Sequence, residues 1–346
     1  MTHFEIRRDE PLKPFTTFKV GGPARFFTGA ATRDDFLQAL RFARQQDLYV
    51  FLLGGGSNIL VSDSGFQGLV IHPVERGVAI ETEESERALL RIEAAEPWDD
   101  VVRRAVEEGF WGIENLSHIP GQAGAAIVQN IGAYGQQISD VFKSATVLQV
   151  PSGNVLKLSA ADCGFGYRKS IFNSSARNDF IILQLELALN RRARLDLHYP
   201  DVRDIFIERG IERPSIQQVR DAIIEIRDRK FPFPREEKGG NAGSFFKNLV
   251  LSADEFEVLH ANIHRNFSTA EWKRLEEINK RSRAGGPVKI PTAFLIEICD
   301  LKGQCEGGAR VNETQPLVLL NDGGATAHDV LTLAGRVRRA VHARTG

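Results

Sequence analysis

"YVFLLGGGSNILVSDSG", residues 49–65, is the stretch on which the fold turns. Its apolar opening reads as a buried strand that ends at Gly54, Gly55 and Gly56 and passes into Ser57 and Asn58. Glycines let successive backbone N–H groups converge on an anion, and the two residues after them add polar side chains. The usual dinucleotide fold shows G-x-G-x-x-G and opens a helix directly after its strand. Here Asn58 stands four residues after Gly54 and "ILVSDSG" continues as a strand, so a Rossmann domain is disfavoured. Taken alone, the loop suits a plain tight turn as well as a phosphate cradle.

Outward from this loop, the first half alternates strands and helices. "ARFFTGA" (24–30) is strand-like, and "TRDDFLQALRFARQQ" (32–46) is an amphipathic helix with Thr32 as N-cap and Asp35 three residues on. "GLVIHP", "VAIETEE" and "ALLRIEAAE" read as short strands, and a second helix begins at Pro97. A glycine-rich region then runs over 113–140. A loop of that length inside a compact domain is usually functional. Gly121, Gly124, Gly132 and Gly135 would let backbone press on a flat or charged ligand, and Gln129 and Asn130 can reach a heterocycle's edge. A structural Ω-loop is the plainer alternative. Two such loops in one half of the chain favour a large phosphate-bearing cofactor.

Strand patterns resume at "SATVLQV" and "DFIILQLELAL". The second part opens after "RRARLDLHYPDV", with a boundary near 191–214. It carries a helix over 215–230 that stops at "FPFP", a glycine loop, and helices near 252–262, 291–301 and 328–344. In "GGNAGSFFKNLV" (239–250), Ser244 sits between flexible backbone and two large rings. It is either a turn entering a buried strand or a proton donor on a loop fixed by packing.

At 346 residues the chain is too long for one typical domain, so two or three are expected. A net charge of −1, with Lys and Arg dispersed, gives no general nucleic-acid or anionic-membrane surface. "MTHFEIRRDEPLKPF" lacks the apolar core of a secretory signal, and no apolar stretch reaches the length of a bilayer span. Cys163, Cys299 and Cys305 form no CxxC or Cys/His pattern. They read as buried thiols in a reducing compartment, with no metal site. The expectation is a soluble cytoplasmic protein.

"LLGGGSN" (52–58), "IPGQAGAAIVQNIGAYG" (119–135), "CGFGYRKSIF" (163–172) and "NAGSFFKN" (241–248) stand in the order and spacing of the UDP-N-acetylenolpyruvylglucosamine reductases, also called UDP-N-acetylmuramate dehydrogenases. The chain resembles that family from about Pro14 to its last residue. The resemblance implies an α+β protein with a vanillyl-alcohol-oxidase-type, two-part FAD-binding domain over 1–195, its lobes split near 70–75. A smaller α+β substrate-binding domain over 196–346 would follow. It implies NADPH as reductant, FAD as carrier and UDP-N-acetylenolpyruvylglucosamine as the small-molecule substrate. The flavin would rest on Gly54, Gly55, Gly56, Ser57 and Asn58, and on Pro120, Gly121, Gly124, Gln129, Asn130, Gly132, Ala133, Tyr134 and Gly135.

Arg168 matches the family's catalytic arginine, whose guanidinium can grip a carboxylate as charge builds on it. Ser244 matches the proton donor, a weak acid that works only beside a strongly basic carbanion in a dry site. The glycines before it would let backbone approach, and buried Phe245 and Phe246 would anchor it. Tyr167, Tyr199, Arg227, Lys230, Asn248 and Lys289 match substrate-binding positions. Tyr199 is the tyrosine of a loop found in the longer subclass. Arg227 and Lys230 lie three apart near the end of one helix, a spacing that also suits a dipole-complementing C-terminus.

The resemblance departs at several places. Relatives continue past the last helix into a Leu-Glu-Pro-Glu-like strand whose first glutamate works at the active site. This sequence reads "VRRAVHARTG" there and offers no residue to match it; Glu297 and Glu306 are the nearest acids to the last motifs. A second reading is therefore a catalytically weak protein that holds FAD and a UDP-sugar. Ala125 and Ala126 stand where relatives often have hydroxyl residues in the flavin loop, and Cys305 stands where some have a glutamine. A third reading, an oxidase with covalent flavin, would need a histidine in these loops, for which His72 and His118 are the nearest. Otherwise His118 and His198 read as structural.

Overall fold

The computed structural model describes residues 4–84, 86–193, 195–230, 233, 239–280 and 286–346, and in these the first sheet grows around "ARFFTGA". That strand, β2 (Pro23–Ala30), lies between β1 (Arg7–Pro11), antiparallel, and β4 (Phe66–Pro73), parallel; β3 (Val50–Leu52) adds to the far side of β4. Between β2 and β3 runs α1 (Arg33–Gln45), capped as its sequence foretells. Asp35 N–H donates to Thr32 Oγ1 at 3.2 Å, and Thr32 N–H donates back to Asp35 Oδ2 at 2.9 Å. Phe36, Ala39, Leu40 and Ala43 follow the helical period and bury against Phe26, Ala30, Leu69 and Ile71. The strand expected to be buried, β3, is an edge, with Phe51 exposed and Tyr49 86% exposed. Residues 59–65 do not continue as a strand. No helix follows the glycines either, so the exclusion of a Rossmann turn stands.

The second sheet is antiparallel throughout, in the order β10 (Val155–Ser159), β9 (Phe142–Gln149), β11 (Phe180–Asn190), β6 (Arg87–Glu93), β5 (Val78–Glu84). Its covering helix, α2 (Trp98–Glu107), has Pro97 one residue before its start and buries Trp98, Val101, Val102, Ala105 and Val106. These side chains meet Leu90, Ile92, Leu185 and Leu187 in one core. The glycine-rich region, read as loop, holds α3 (Ala123–Val128) and a two-residue ladder of β7 (Gly132–Ala133) with β8 (Gln136–Gln137). A short α4 (Ala160–Cys163) follows β10. Strands of both directions with helices beside them make the α+β class.

On β11, Glu186 is buried to 5% exposure, and its carboxylate accepts from Ser144 Oγ at 2.6 Å and Arg91 Nε at 3.1 Å, with Lys157 Nζ at 2.8 Å. Burial alone would raise its pKa, but Lys157, Ser144 and Arg91 outweigh burial and hold it at about 2, against an ordinary 4.5. The folded value is the lower one. The stabilisation is therefore complete above pH 4.5 and drains away as pH falls toward 2. Glu186→Gln should cost on the order of 2 kcal/mol at neutral pH, allowing for the exposure of Arg91 and Lys157. In urea unfolding, the variant should lose less stability than the parent between pH 4.5 and pH 2.

After β11 the chain stays with these sheets. α5 (Pro200–Glu208) and α6 (Ile216–Lys230) pack Val202, Ile205, Phe206, Val219, Ile223 and Ile226 onto Trp111 and Tyr134. The compact units accordingly divide at 233, and the boundary expected near 191–214, with a substrate domain from 196, is corrected. The expected helix stop "FPFP" lies outside the described residues except for Phe233.

The second unit is discontinuous: residues 12–22, 58–64 and 234–346. Its core joins Phe18 and Val20 from the first segment and Leu60 from the second to the C-terminal helices. Those are α7 (Ala253–Asn266), α8 (Thr269–Lys280), α9 (Thr292–Ile298) and α10 (Ala327–Thr345). β12 (Leu249–Leu251) pairs with β13 (Val288–Ile290), while β14 (Cys305–Glu306), β15 (Ala309–Val311) and β16 (Leu319–Asn321) form a small meander. Asp63 accepts from the N–H groups of Ala327 and His328 at 2.8 and 2.9 Å, adding a cap to α10 beyond Thr326. Burial pushes the Cys163 thiol up to about 11 and also raises Cys299. Cys305 is exposed, which corrects the reading of three buried thiols.

Candidate active site

In the first unit, the two glycine loops press against each other. A Cβ at Gly55 would stand 2.7 Å from Gly121 Cα, so only glycine permits the approach. Ser57 Oγ donates to Pro120 O at 3.0 Å, and Gly56 and Gly121 have φ of 59° and 114°. The result is a backbone surface with few side chains, against which a diphosphate or a flat ring system can lie. Gly54 faces Gln122 Oε1 and Ala125. Gly124 is glycine for an internal reason, since its N–H donates to Ala94 O at 2.8 Å and a Cβ would strike Ala94. The same holds at Gly135, where a Cβ would meet the Asp196 carboxylate at 2.7 Å. Asn58 belongs to the second unit.

Gln129 ends α3, its backbone N–H donating to Ile127 O. Asn130 departs from its expected role. It is 2% exposed, and its Nδ2 donates to Gly166 O at 3.0 Å and Gln137 Oε1 at 3.3 Å, while Oδ1 accepts from Ser139 N–H at 3.1 Å. The amide expected at a heterocycle's edge instead staples the turn that carries Arg168. That turn closes with Gly166 and Lys169 exchanging N–H···O bonds at 2.9 and 3.2 Å. Arg168 sits in it at φ 54°, a left-handed conformation that costs on the order of 1 kcal/mol for a side-chain-bearing residue. Its Nη2 donates to Gly132 O at 2.6 Å and its carbonyl accepts from Asn173 Nδ2 at 3.2 Å. Tyr167, 63% exposed, lies 5.8 Å from the guanidinium.

Past Gly132 and Ala133, the same loop delivers Tyr134, also left-handed at φ 47°. Tyr134 was expected on the flavin side. Its ring instead stands 5.1 Å from Tyr199 at 83°, with Lys230 Nζ 5.6 Å from it and 6.0 Å from the Tyr199 ring. Tyr199 is the N-cap of α5, so the expected tyrosine loop leads straight into a helix. Lys230 pairs with Asp201, and Arg227 Nε donates to His118 O at 2.8 Å while its side chain also bonds Tyr134. Burial works against the charge of Lys230, but Asp201 and the two tyrosines hold its pKa above the usual value. Burial draws Arg227 down despite Tyr134 and Asp99, and raises Tyr134 despite Lys230 and Arg227. Two cations and two phenols thus share one partly dry place, where a polyanion is worth most to them.

A buried amide network holds this loop. Asn115 Nδ2 donates to Tyr134 O at 2.8 Å, Asn115 N–H to Gln136 Oε1 at 2.9 Å, and Gln136 Nε2 to Glu114 Oε1 at 2.7 Å. Burial raises the Glu114 pKa even against the Gly112 N–H and the Gln136 amide that donate to its carboxylate. Neither Glu114 nor Asn115 stood out in the sequence, since one acid and one amide in a glycine-rich run carry no spacing signal.

The second unit carries the other candidates. Ser244 is exposed in a bridge opposite Val318, with Phe245 N–H donating to Leu317 O at 2.7 Å. Phe245 and Phe246 meet edge to face at 5.5 Å and pack on the core while staying partly exposed, rather than buried as expected. Asn248 Oδ1 accepts from Thr292 N–H at 3.2 Å, which caps α9, and Lys289 lies in β13 opposite Val250. Glu297 pairs with Arg274 at 3.0 Å and with Lys302, and Glu306 pairs with Arg336. Both suggested acids are thus committed to cations. Among the described residues, no helix is long and apolar enough to cross a membrane.

Two family models match the chain: "FAD binding domain" over residues 24–159, which takes in strands of both sheets but neither β1 nor β11, and "UDP-N-acetylenolpyruvoylglucosamine reductase, C-terminal domain" over 234–346. The UDP-N-acetylenolpyruvoylglucosamine reductase of Pseudomonas syringae pv. syringae is 40% identical over 335 residues, covering 97% of this chain and 94% of that one. The enzyme of that name from Pseudomonas aeruginosa is 37% identical over 342 residues, with 99% and 96% covered. The crystal structure of UDP-N-acetylenolpyruvylglucosamine reductase from Thermus caldophilus shares the fold, at a TM-score of 0.64 and 23% identity over 97% of this chain and 95% of that one. With such identity sustained over nearly its whole length, the chain belongs to the UDP-N-acetylenolpyruvoylglucosamine reductase family of flavin-dependent oxidoreductases.

Proposed function

We propose that the chain reduces UDP-N-acetylenolpyruvylglucosamine to UDP-N-acetylmuramate with electrons from NADPH, in the cytoplasm, as a step of peptidoglycan precursor synthesis. The observation that carries this is the gathering of Arg227 and Lys230 with Tyr134 and Tyr199 on the loop whose Gly132 holds Arg168. A nucleotide diphosphate suits the cations and tyrosines, and a carboxylate suits Arg168. The family resemblance also assigns Asn248 and Lys289 to the nucleotide. The side-chain-poor surface of Gly54, Gly55, Gly56, Ser57, Pro120 and Gly121 fits FAD, whose diphosphate would rest on backbone there. The chemistry that bound FAD supplies is delivery of a hydride, drawn from NADPH, to the terminal carbon of the enolpyruvyl group.

The residues of the chain manage what that delivery creates. Charge collects on the substrate carboxylate as an enolate, and Arg168, already held by Gly132 O, can take it bidentately without a change of turn. Ser244 Oγ would then give its proton to the carbon beside the carboxylate, and its exposure leaves the hydroxyl open to a ligand. The test isolates this half of the cycle. With FAD bound and reduced without oxygen, addition of the enolpyruvyl nucleotide should restore the visible absorbance of the flavin within seconds. If the nucleotide binds and the absorbance stays low, the chain is a binding protein for FAD and a UDP-sugar. If it does not bind, the substrate assignment falls.

A further inference from the structure

We propose that Asp99 and Arg220 are a positioning pair for Arg227, acting through the peptide of His118, and so set the affinity for the nucleotide; this rests on the reading of Arg227 given above. Arg220, on α6 and 6% exposed, meets the Asp99 carboxylate fork to fork, with Nη1 to Oδ1 at 2.7 Å and Nη2 to Oδ2 at 2.9 Å. Asp99 Oδ1 also accepts the N–H of His118 at 2.5 Å. On the other side of the same residue, the His118 carbonyl accepts from Arg227 Nε at 2.8 Å. His118 is held at φ 60°, an unfavourable conformation for a histidine, and its Nε2 meets Asp228 Oδ1 at 2.9 Å while its ring lies 4.3 Å from Phe233.

The hydrogen bonds thus run Arg220, Asp99, His118 backbone, Arg227. Bidentate recognition of phosphate needs the guanidinium plane to be set beforehand, and donation from Nε to a fixed carbonyl sets it. The fixity of that carbonyl depends on Asp99. Burial would raise the Asp99 pKa, but Arg220 and the His118 N–H hold it below the ordinary carboxylate value, in keeping with a carboxylate that stays charged at work.

A simple strut between α2 and α6 would explain the ion pair alone, and a double-mutant cycle separates the two roles. Asp99→Asn, Arg227→Gln and the double variant would be prepared as FAD holoproteins. The dissociation constant of UDP-N-acetylenolpyruvylglucosamine would be read from the flavin spectrum, with melting temperatures alongside. Asp99→Asn should weaken binding about tenfold and Arg227→Gln about a hundredfold. The double variant should be no weaker than Arg227→Gln, because Asp99 then has nothing left to aim. Multiplying losses, or an Asp99→Asn affinity equal to the parent's, would overturn the pair while leaving the role of Arg227 intact. An unchanged affinity in Arg227→Gln would overturn both. Should Asp99→Asn fail to fold, Arg220→Lys, which keeps the charge and loses the fork, carries the same cycle with a smaller first step.

Discussion

Ser244→Ala protein is expected to take electrons from NADPH at the parent's rate and to lose all but about a thousandth of its rate of reoxidation by the enolpyruvyl nucleotide, roughly 4 kcal/mol of barrier. The change removes one oxygen and leaves the backbone that holds it. Ser244 bridges to Val318, and the next N–H is tied to Leu317 O at 2.7 Å, so the loop keeps its shape without the hydroxyl. The unfolding midpoint should therefore match the parent's. An aliphatic hydroxyl is a poor acid at neutral pH, so the proposed donor depends on the strength of the base it meets. For that reason the loss should fall on the step after hydride delivery and spare flavin reduction. Stopped-flow absorbance in the two half-reactions checks the division. Turnover at the parent's rate would leave Ser244 as a turn residue beside two rings.

Gly240→Ala is expected to cost more than about 3 kcal/mol, a large share of the net stability of a typical domain. A Cβ at 240 would stand 1.9 Å from the carbonyl oxygen of Thr17, and at neighbouring Gly239 a Cβ would stand 1.6 Å from that of Asn321. Both obstacles are backbone, so no rotamer change relieves them. Gly240 and Asn321 exchange N–H···O bonds at 3.0 and 2.8 Å, and Asn321 Nδ2 donates to Phe18 O at 3.0 Å. Moving Gly240 would break that joint. Gly243→Ala supplies the control, because nothing lies within 4 Å of its Cβ position and only its φ of 69° is unfavourable. About 1 kcal/mol should be lost there. Urea unfolding of the two variants decides it, and equal midpoints would mean that the 239–244 segment is not held as tightly as its contacts indicate.

What could be read from the sequence was what is local. Thr32 and Asp35 announce α1 because a cap and its box partner are three residues apart. α5 also carries a signal, with Val202, Ile205 and Phe206 at helical spacing after Pro200, whereas the resemblance points to a loop at Tyr199. α8 fully buries only Leu275, with Trp272 and Ile278 half-buried on either side of it, so its apolar stripe is narrow among many charges. Arg227 and Lys230 could be paired as candidates because they share one helical face. Asp99, His118 and Arg220 could not, since their bonds join residues far apart in sequence. Asn130 shows the reverse failure: an amide in a glycine loop looks available for a ligand, and only the fold reveals that Gly166, Gln137 and Ser139 already engage it.

The threading of residues 12–22 and 58–64 into the second unit sets the order in which the protein can be finished. During synthesis these segments leave the ribosome early, while the helices that cover them come last. Gly22 N–H can meet Ser62 O, a 2.8 Å bond in the finished fold, long before Phe18, Val20 and Leu60 find α7 and α10. Apolar side chains therefore wait in solvent until translation is nearly complete, an interval in which a holding chaperone would have its longest opportunity. A gene fragment beginning at 234, where the C-terminal family match starts, would encode a core lacking Phe18, Val20 and Leu60. Supplying residues 1–64 as a separate chain should restore what such a fragment lacks.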